Sequence, residues 1–207
     1  MLYIFDFDGT LVDSVDGIVA AMQAAIKDVS LPNRTHAQVS NIIGLGLAEA
    51  LQTLFPGIDE GQAEQMTLRY SHHFVSNHSG LVLFEDVESV LQSLRAAGHV
   101  LAIATGKSRL GLNRVFKSSS LEQYFLYSRC ADETKSKPHP LMLNELIVES
   151  GIDVNDALMI GDSIYDIEMA VNAGIKSVGV SYGVHSSQQL TAAGAERVIN
   201  SLKELLT

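Results

Sequence analysis

The chain has 207 residues, 46% of them apolar, a formal net charge of −10 and a pI near 5.0. That apolar content suffices for one large domain or a core with a modest insertion, while the acidic balance opposes a general attraction to nucleic acid or anionic membrane. One cysteine, Cys130, excludes an internal disulfide, suits a reducing compartment and reads as a small buried hydrophobe. Met1 to Phe7 has neither the basic flank nor the long apolar stretch of a signal peptide, and no run is long enough to span a bilayer, so a cytoplasmic location is expected.

Four short apolar runs have strand length: Leu2 to Phe7, His99 to Thr105, Ala157 to Gly161 and Ser177 to Ser181. Their near-continuous apolar character predicts strands covered on both faces. From about Val15 to Gly80 there are helical patterns and no convincing strand, with Ala63, Met66, Tyr70 and Phe74 marking one stripe and Asp59 as its cap. Val87, Val90, Leu91 and Leu94 then repeat at helical spacing, with Asp86 predicted to cap the start and Gly98 the end. Further helices are predicted from Pro140 to Ser150, closed by Gly151, and from Tyr165 to Ala173, closed by Gly174. The alternation implies an α/β fold with a parallel sheet wrapped by helices, interrupted by a helical insertion whose hinges lie near Ser14 and Gly80.

Ligands of an open parallel sheet bind beyond the carboxyl ends of its strands, and polar groups follow these runs: Asp6 and Asp8, Thr105, and Asp162. In an extended chain the two-residue spacing sends Asp6 and Asp8 to the same side. A carboxylate attacking phosphorus splits hydrolysis into two steps, and a neighbouring acid must protonate the leaving oxygen and later activate water. Two like charges 4 Å apart repel by about 4 kcal/mol at an effective dielectric of 20, so such a cluster calls for cations. Oxygen ligands beside a phosphate select Mg²⁺, with Lys137 supplying further positive charge. Taken singly, Thr105-Gly106 reads first as a helix entrance, Lys137-Pro138 as a surface turn and Asp162 as a helix cap.

Together these residues resemble the haloacid dehalogenase (HAD) superfamily, particularly its phosphatases similar to phosphoglycolate phosphatase. Asp6-Phe7-Asp8-Gly9-Thr10-Leu11-Val12-Asp13-Ser14 looks like the first signature motif, Ala104-Thr105-Gly106 the second, Lys137-Pro138 the third, and Gly161-Asp162-Ser163 with Asp166 the fourth. The resemblance implies a Rossmann-like, HAD-like core over residues 1–14 and 80–207, and a helical cap over 15–79 inserted after the first strand. It implies a Mg²⁺-dependent phosphatase in which Asp6 is the nucleophile and Asp8 the general acid and base. The carboxylates of Asp6 and Asp162 and the carbonyl of Asp8 would hold the metal, with Asp166 in support. Thr105 and Gly106 would bind phosphoryl oxygens, and Lys137 would pair with phosphate and nucleophile. Ile43-Gly44-Leu45-Gly46 resembles the family's specificity loop, where Gly44 and Gly46 let the backbone approach a small ligand. The implied partner is a small phosphate ester rather than nucleic acid or membrane, and monomer and homodimer are equally acceptable.

A phosphosugar mutase of the β-phosphoglucomutase type shares this core but returns the phosphoryl group to its substrate, and a catalytically silent phosphate-binding protein keeps the scaffold alone. Asp8 argues against carbon–halogen cleavage, because dehalogenases lack that aspartate. Phosphonate hydrolases use a cap lysine and a different residue at that position, whereas Lys27 is the sole lysine before residue 107. His72, His73 and His78 lack a helical ligand spacing and read as a solvated helix end. His139 and His185 receive no role, Ser14 is placed near ligand without one, and Arg109 and Arg114 are read as solvated.

Overall fold

The computed structural model describes residues 1–76 and 81–207, so His78 and the hinge expected at Gly80 lie outside the described residues. Six parallel strands form one sheet in the order β3-β2-β1-β4-β5-β6: β1 Leu2–Phe5, β2 Val100–Thr105, β3 Tyr127–Cys130, β4 Ala157–Gly161, β5 Lys176–Val180 and β6 Arg197–Ile199. Alternate residues of each strand face opposite ways. Tyr3, Phe5, Leu101, Ile103 and Ile160 therefore pack with the helices α5 (Val87–Ala96) and α6 (Arg109–Ser118). Leu2, Ile4, Ala102, Ala104 and Met159 pack on the other face with α7 (Leu141–Ser150) and α8 (Ile164–Ala173). Each such fully buried large side chain contributes about 1.5–3 kcal/mol relative to exposure. A last helix, α9 (Ser187–Ala193), connects β5 to β6.

Among the described residues between β1 and α5 there are four helices and no strand: α1 Val15–Asp28, α2 His36–Ser40, α3 Leu47–Leu54 and α4 Glu60–Ser76. They enclose an apolar cluster of their own, with Met22, Val39, Leu51 and Met66 at its centre and Tyr70 and Phe74 packed against it. Asp59 does cap α4, accepting a hydrogen bond from the Gln62 amide at 2.9 Å. The chain leaving the sheet and the chain returning to it run side by side: the Asp13 amide donates to the Val82 carbonyl at 2.9 Å and the Phe84 amide to Leu11 at 3.1 Å.

Several expectations change in detail. β1 stops at Phe5, so Asp6 to Asp8 form a loop and the extended-chain argument for their shared direction does not carry. Asp86 does not cap α5: it sits at φ 67°, makes no capping hydrogen bond, and its carboxylate pairs with Lys203 at 2.8 Å. Gly98, Gly151 and Gly174 all adopt positive φ just past their helices, as expected. Strands β3 and β6 were not anticipated. Among the described residues, no helix is long and apolar enough to cross a membrane.

Candidate active site

Strand order and register bring the predicted residues together. β1 is flanked by β2 and β4, with Phe5 opposite Ile103 on one side and Ile160 on the other. Asp6 just past β1, Thr105 ending β2 and Asp162 just past β4 therefore lie side by side, where the strand order reverses. Gly9, at φ 84°, turns the chain tightly against Asp162, and a Cβ there would collide with that carboxylate.

Lys137 is buried and its Nζ donates to Asp6 Oδ1 and Asp166 Oδ1, both at 2.6 Å. A surface turn is thereby excluded. Asp162 accepts from the Thr10 hydroxyl at 2.9 Å through Oδ1 and from the Val184 amide at 2.8 Å through Oδ2. Capping of α8 falls instead to Ser163, which exchanges hydrogen bonds with Asp166, and α6 is entered through Ser108 rather than Thr105. Asp166 thus ties the lysine to the start of α8.

Three buried carboxylates face one lysine. Asp6, Asp162 and Asp166 each offer an oxygen within 4.8 Å of the others, a spacing at which a like-charged pair repels by about 3 kcal/mol at an effective dielectric of 20. Burial pushes the Asp6 carboxyl well above its usual range against the pull of Lys137, with Asp166 and Asp162 adding to the rise. Burial and Asp166 likewise raise Asp162 to about 7, opposed by the Val184 and Thr10 hydrogen bonds. For Lys137 burial disfavours the charge, but Asp166 and Asp6 outweigh it and hold the ammonium above the ordinary lysine range. The same surplus of negative charge that attracts protons suits a divalent cation. Asp6 Oδ2 is buried and has no hydrogen-bond partner among the described residues, and an all-oxygen donor set is what Mg²⁺ takes. These residues fit the implied ion.

Asp8 belongs to a second group. Its carboxylate pairs with Lys107 Nζ at 2.7 Å and accepts from the Ser14 hydroxyl at 2.6 Å. Lys107 also lies 4.9 Å from the centre of the Phe74 ring on α4. Sequence reasoning passed over Lys107: one lysine after a strand carries no signal of a carboxylate 99 positions earlier.

A cavity of about 190 Å³ separates these groups from the four helices. Asp6, Asp8, Thr105, Gly106 and Lys107 line one end, and Met22, Ile42 and Phe74 belong to the opposite wall. Gly44 and Gly46 sit where the helical part meets the sheet. The Gly46 amide donates to Ser136 Oγ at 2.7 Å, and Gly44, at φ 106°, leaves no room for a Cβ, which would fall 2.7 Å from Ser163 Oγ. A Cβ on Gly106 would in turn lie 2.5 Å from the Leu45 carbonyl. The close approach these glycines permit here is between two parts of the protein. His185, buried, bridges the Ile164 amide and Asn41 Oδ1, while the Tyr165 hydroxyl donates to the Asn41 carbonyl at 2.9 Å. His73 pairs with Asp28 and His139 accepts from the Leu141 amide. Arg109 is not simply solvated, since it grips Glu133 through two nitrogens at 2.7 Å. Arg114 is exposed and lines the cavity.

Residues 3–180 match the family model for haloacid dehalogenase-like hydrolases. A probable phosphatase IndB of Dickeya dadantii is 33% identical over 211 residues, covering 99% of this chain and 91% of the relative. A phosphoglycolate phosphatase of Vibrio vulnificus is 33% identical over 99% of this chain and 94% of its own length. Among solved structures, a putative haloacid dehalogenase-like hydrolase from Bacteroides fragilis superposes with a TM-score of 0.91 at 28% identity, over 99% of this chain and 98% of that one. A motif set read from four separate stretches of the sequence, the convergence of those stretches in space and the match along most of the chain have one common explanation: the chain belongs to the haloacid dehalogenase-like hydrolases.

Proposed function

We propose that the protein hydrolyses phosphate monoesters of small molecules through a phosphoaspartyl intermediate on Asp6. The observation that carries this reading is the state of the Asp6 carboxylate: Oδ1 is held by Lys137 and Oδ2 is buried with no partner among the described residues, next to the cavity. An oxygen so placed attacks phosphorus as the ester P–O bond breaks, and Asp8 gives its proton to the departing alcohol. Asp8 then takes a proton from water, whose oxygen displaces the Asp6 carboxylate and releases inorganic phosphate. Thr105 and the Gly106 amide orient the phosphoryl oxygens, and Lys137 fixes the nucleophile while offsetting its charge. Mg²⁺, when held by the carboxylates of Asp6 and Asp162 and the Asp8 carbonyl with Asp166 in support, supplies charge neutralisation at the phosphoryl group.

Residues 15–79 act in this reading as a cap over a core formed by 1–14 and 80–207, closing the cavity against water. Support comes from the separate apolar cluster of α1 to α4 and the paired strands of chain at residues 11–13 and 82–84. The Dickeya and Vibrio relatives, a probable phosphatase and a phosphoglycolate phosphatase, agree with phosphatase chemistry.

Release of inorganic phosphate from a panel including phosphoglycolate, sugar phosphates, nucleoside monophosphates and pyrophosphate tests the proposal. Release should require Mg²⁺, and Asp6→Asn should lower it by at least about a thousandfold. Turnover that survives this substitution contradicts the nucleophile assignment. Isomerised sugar phosphate without free phosphate would identify a mutase, and tight phosphate binding without turnover a silent scaffold.

A further inference from the structure

The wall of the cavity facing the catalytic carboxylates has a composition that the phosphatase chemistry does not require. Beyond the catalytic groups the cavity is lined by Met22, Ile42, Leu47 and Phe74 of the helices and by Leu110, an exposed residue of α6, and among the described residues no Glu, Asn or Gln side chain lines it. The other polar side chains of the lining are Tyr70, Ser71, Ser108, whose hydroxyl accepts from the Gly111 amide, and the exposed Arg114. The Tyr70 ring packs on that of Phe74 at 5.8 Å and is half-buried against the helical cluster, so the polar part it offers is its hydroxyl alone.

We infer that the natural ester carries a compact apolar alcohol, aliphatic or aromatic, and that the cavity selects against polyols and short carboxylates. This deepens the phosphatase reading and rests on it. A polyol entering this space would exchange water for methyl and ring surfaces at most of its hydroxyls, and a buried hydroxyl without a partner is penalised heavily. A short acid such as glycolate would place a second carboxylate near Asp6 and Asp8, where Lys107 is already paired with Asp8 and the other cation of the lining, Arg114, lies exposed to solvent. An apolar alcohol instead gains by leaving water. Size agrees: a dry cavity of about 150 Å³ lined by Leu, Ile and Phe accepts benzene, and here about 190 Å³ must also take the phosphoryl group. The alcohol is therefore about the size of one ring or a branched five-carbon chain.

Initial rates of phosphate release with Mg²⁺ would be compared for benzyl and isopentyl phosphate against glycerol 3-phosphate, sorbitol 6-phosphate and phosphoglycolate. All are unactivated alkyl esters, with methyl phosphate included as a minimal reference. kcat/KM for the two apolar esters should exceed that for each polar ester by at least about tenfold. Leu47→Asn should narrow that ratio. Any polar ester turned over as well as benzyl phosphate overturns the inference and leaves the phosphatase reading standing. Release from none of the six, methyl phosphate included, removes both.

Discussion

Two apolar masses make up this molecule, one about the sheet and one inside α1 to α4, and they treat charge differently. Against the sheet the chain buries Asp6 and Asp162 just past β1 and β4, Asp166 in the first turn of α8 and Lys137 between β3 and α7. Among the described residues of 15–76 no polar or charged side chain is fully buried. Holding like charges together requires groups that cannot drift apart, and neighbouring parallel strands with fixed register supply that. The helices contribute shape and dryness, and a few contacts such as Gly46 to Ser136 and Asn41 to His185 tie them to the sheet.

The sharpest way to break this contrast is Lys137→Met. Removing the one cation from among three carboxylates should cost about 3–5 kcal/mol, read as a lower denaturation midpoint, and abolish turnover. A loss under about 1 kcal/mol would mean that the carboxylates are not held as ions. Met66→Ala strikes the other mass: it empties a fully buried site and should cost about 2–4 kcal/mol, yet the folded fraction should retain far more turnover than Lys137→Met.

Metal and pH sharpen it further. Because Asp162 in the metal-free fold is raised to about 7 from 3.8, the native state holds a proton that the unfolded chain has released between those values. Stability of the metal-free protein should therefore fall as pH rises through that window, the reverse of the usual carboxylate pattern. Mg²⁺ at a hundred times its dissociation constant should add about 2.7 kcal/mol, and its effect on Tm should be larger at pH 8 than at pH 5, where protons compete for the ligands. Equal shifts at both pH values would remove Asp162 from the ligand set. The smallest effect is expected at the seam. Gly44→Ala and Gly151→Ala both place a Cβ on a left-handed residue, at roughly 1–2 kcal/mol each, but only Gly44 abuts a neighbour, Ser163. Any excess loss of Tm in Gly44→Ala measures the docking of the helices on the sheet.

What could be read in the sequence follows the same division. The four inner strands were legible because covering both faces of a strand demands an unbroken apolar run. β3 and β6 are the two edges of the sheet, and Tyr127-Ser128-Arg129-Cys130 has only Cys130 fully buried, so the run never forms. Asp86 looked like a cap by position alone, but its left-handed backbone turns it toward Lys203. Asp6, Asp8, Thr105 and Asp162 were legible because polar groups that close apolar runs stand out, and Lys137 and Asp166 were legible only through the motif set as a whole. Lys107 was not, since its pairing with Asp8 depends on how β2 lies against β1.

Cys130 gives the edge of the sheet an internal clock. Its sulfur has no exposed surface, and burial pushes the thiol up to about 12. A reagent specific for thiolates should therefore label the native protein only as fast as β3 detaches. With no second sulfhydryl in the chain to confuse the signal, one reactive atom can time the opening of that edge.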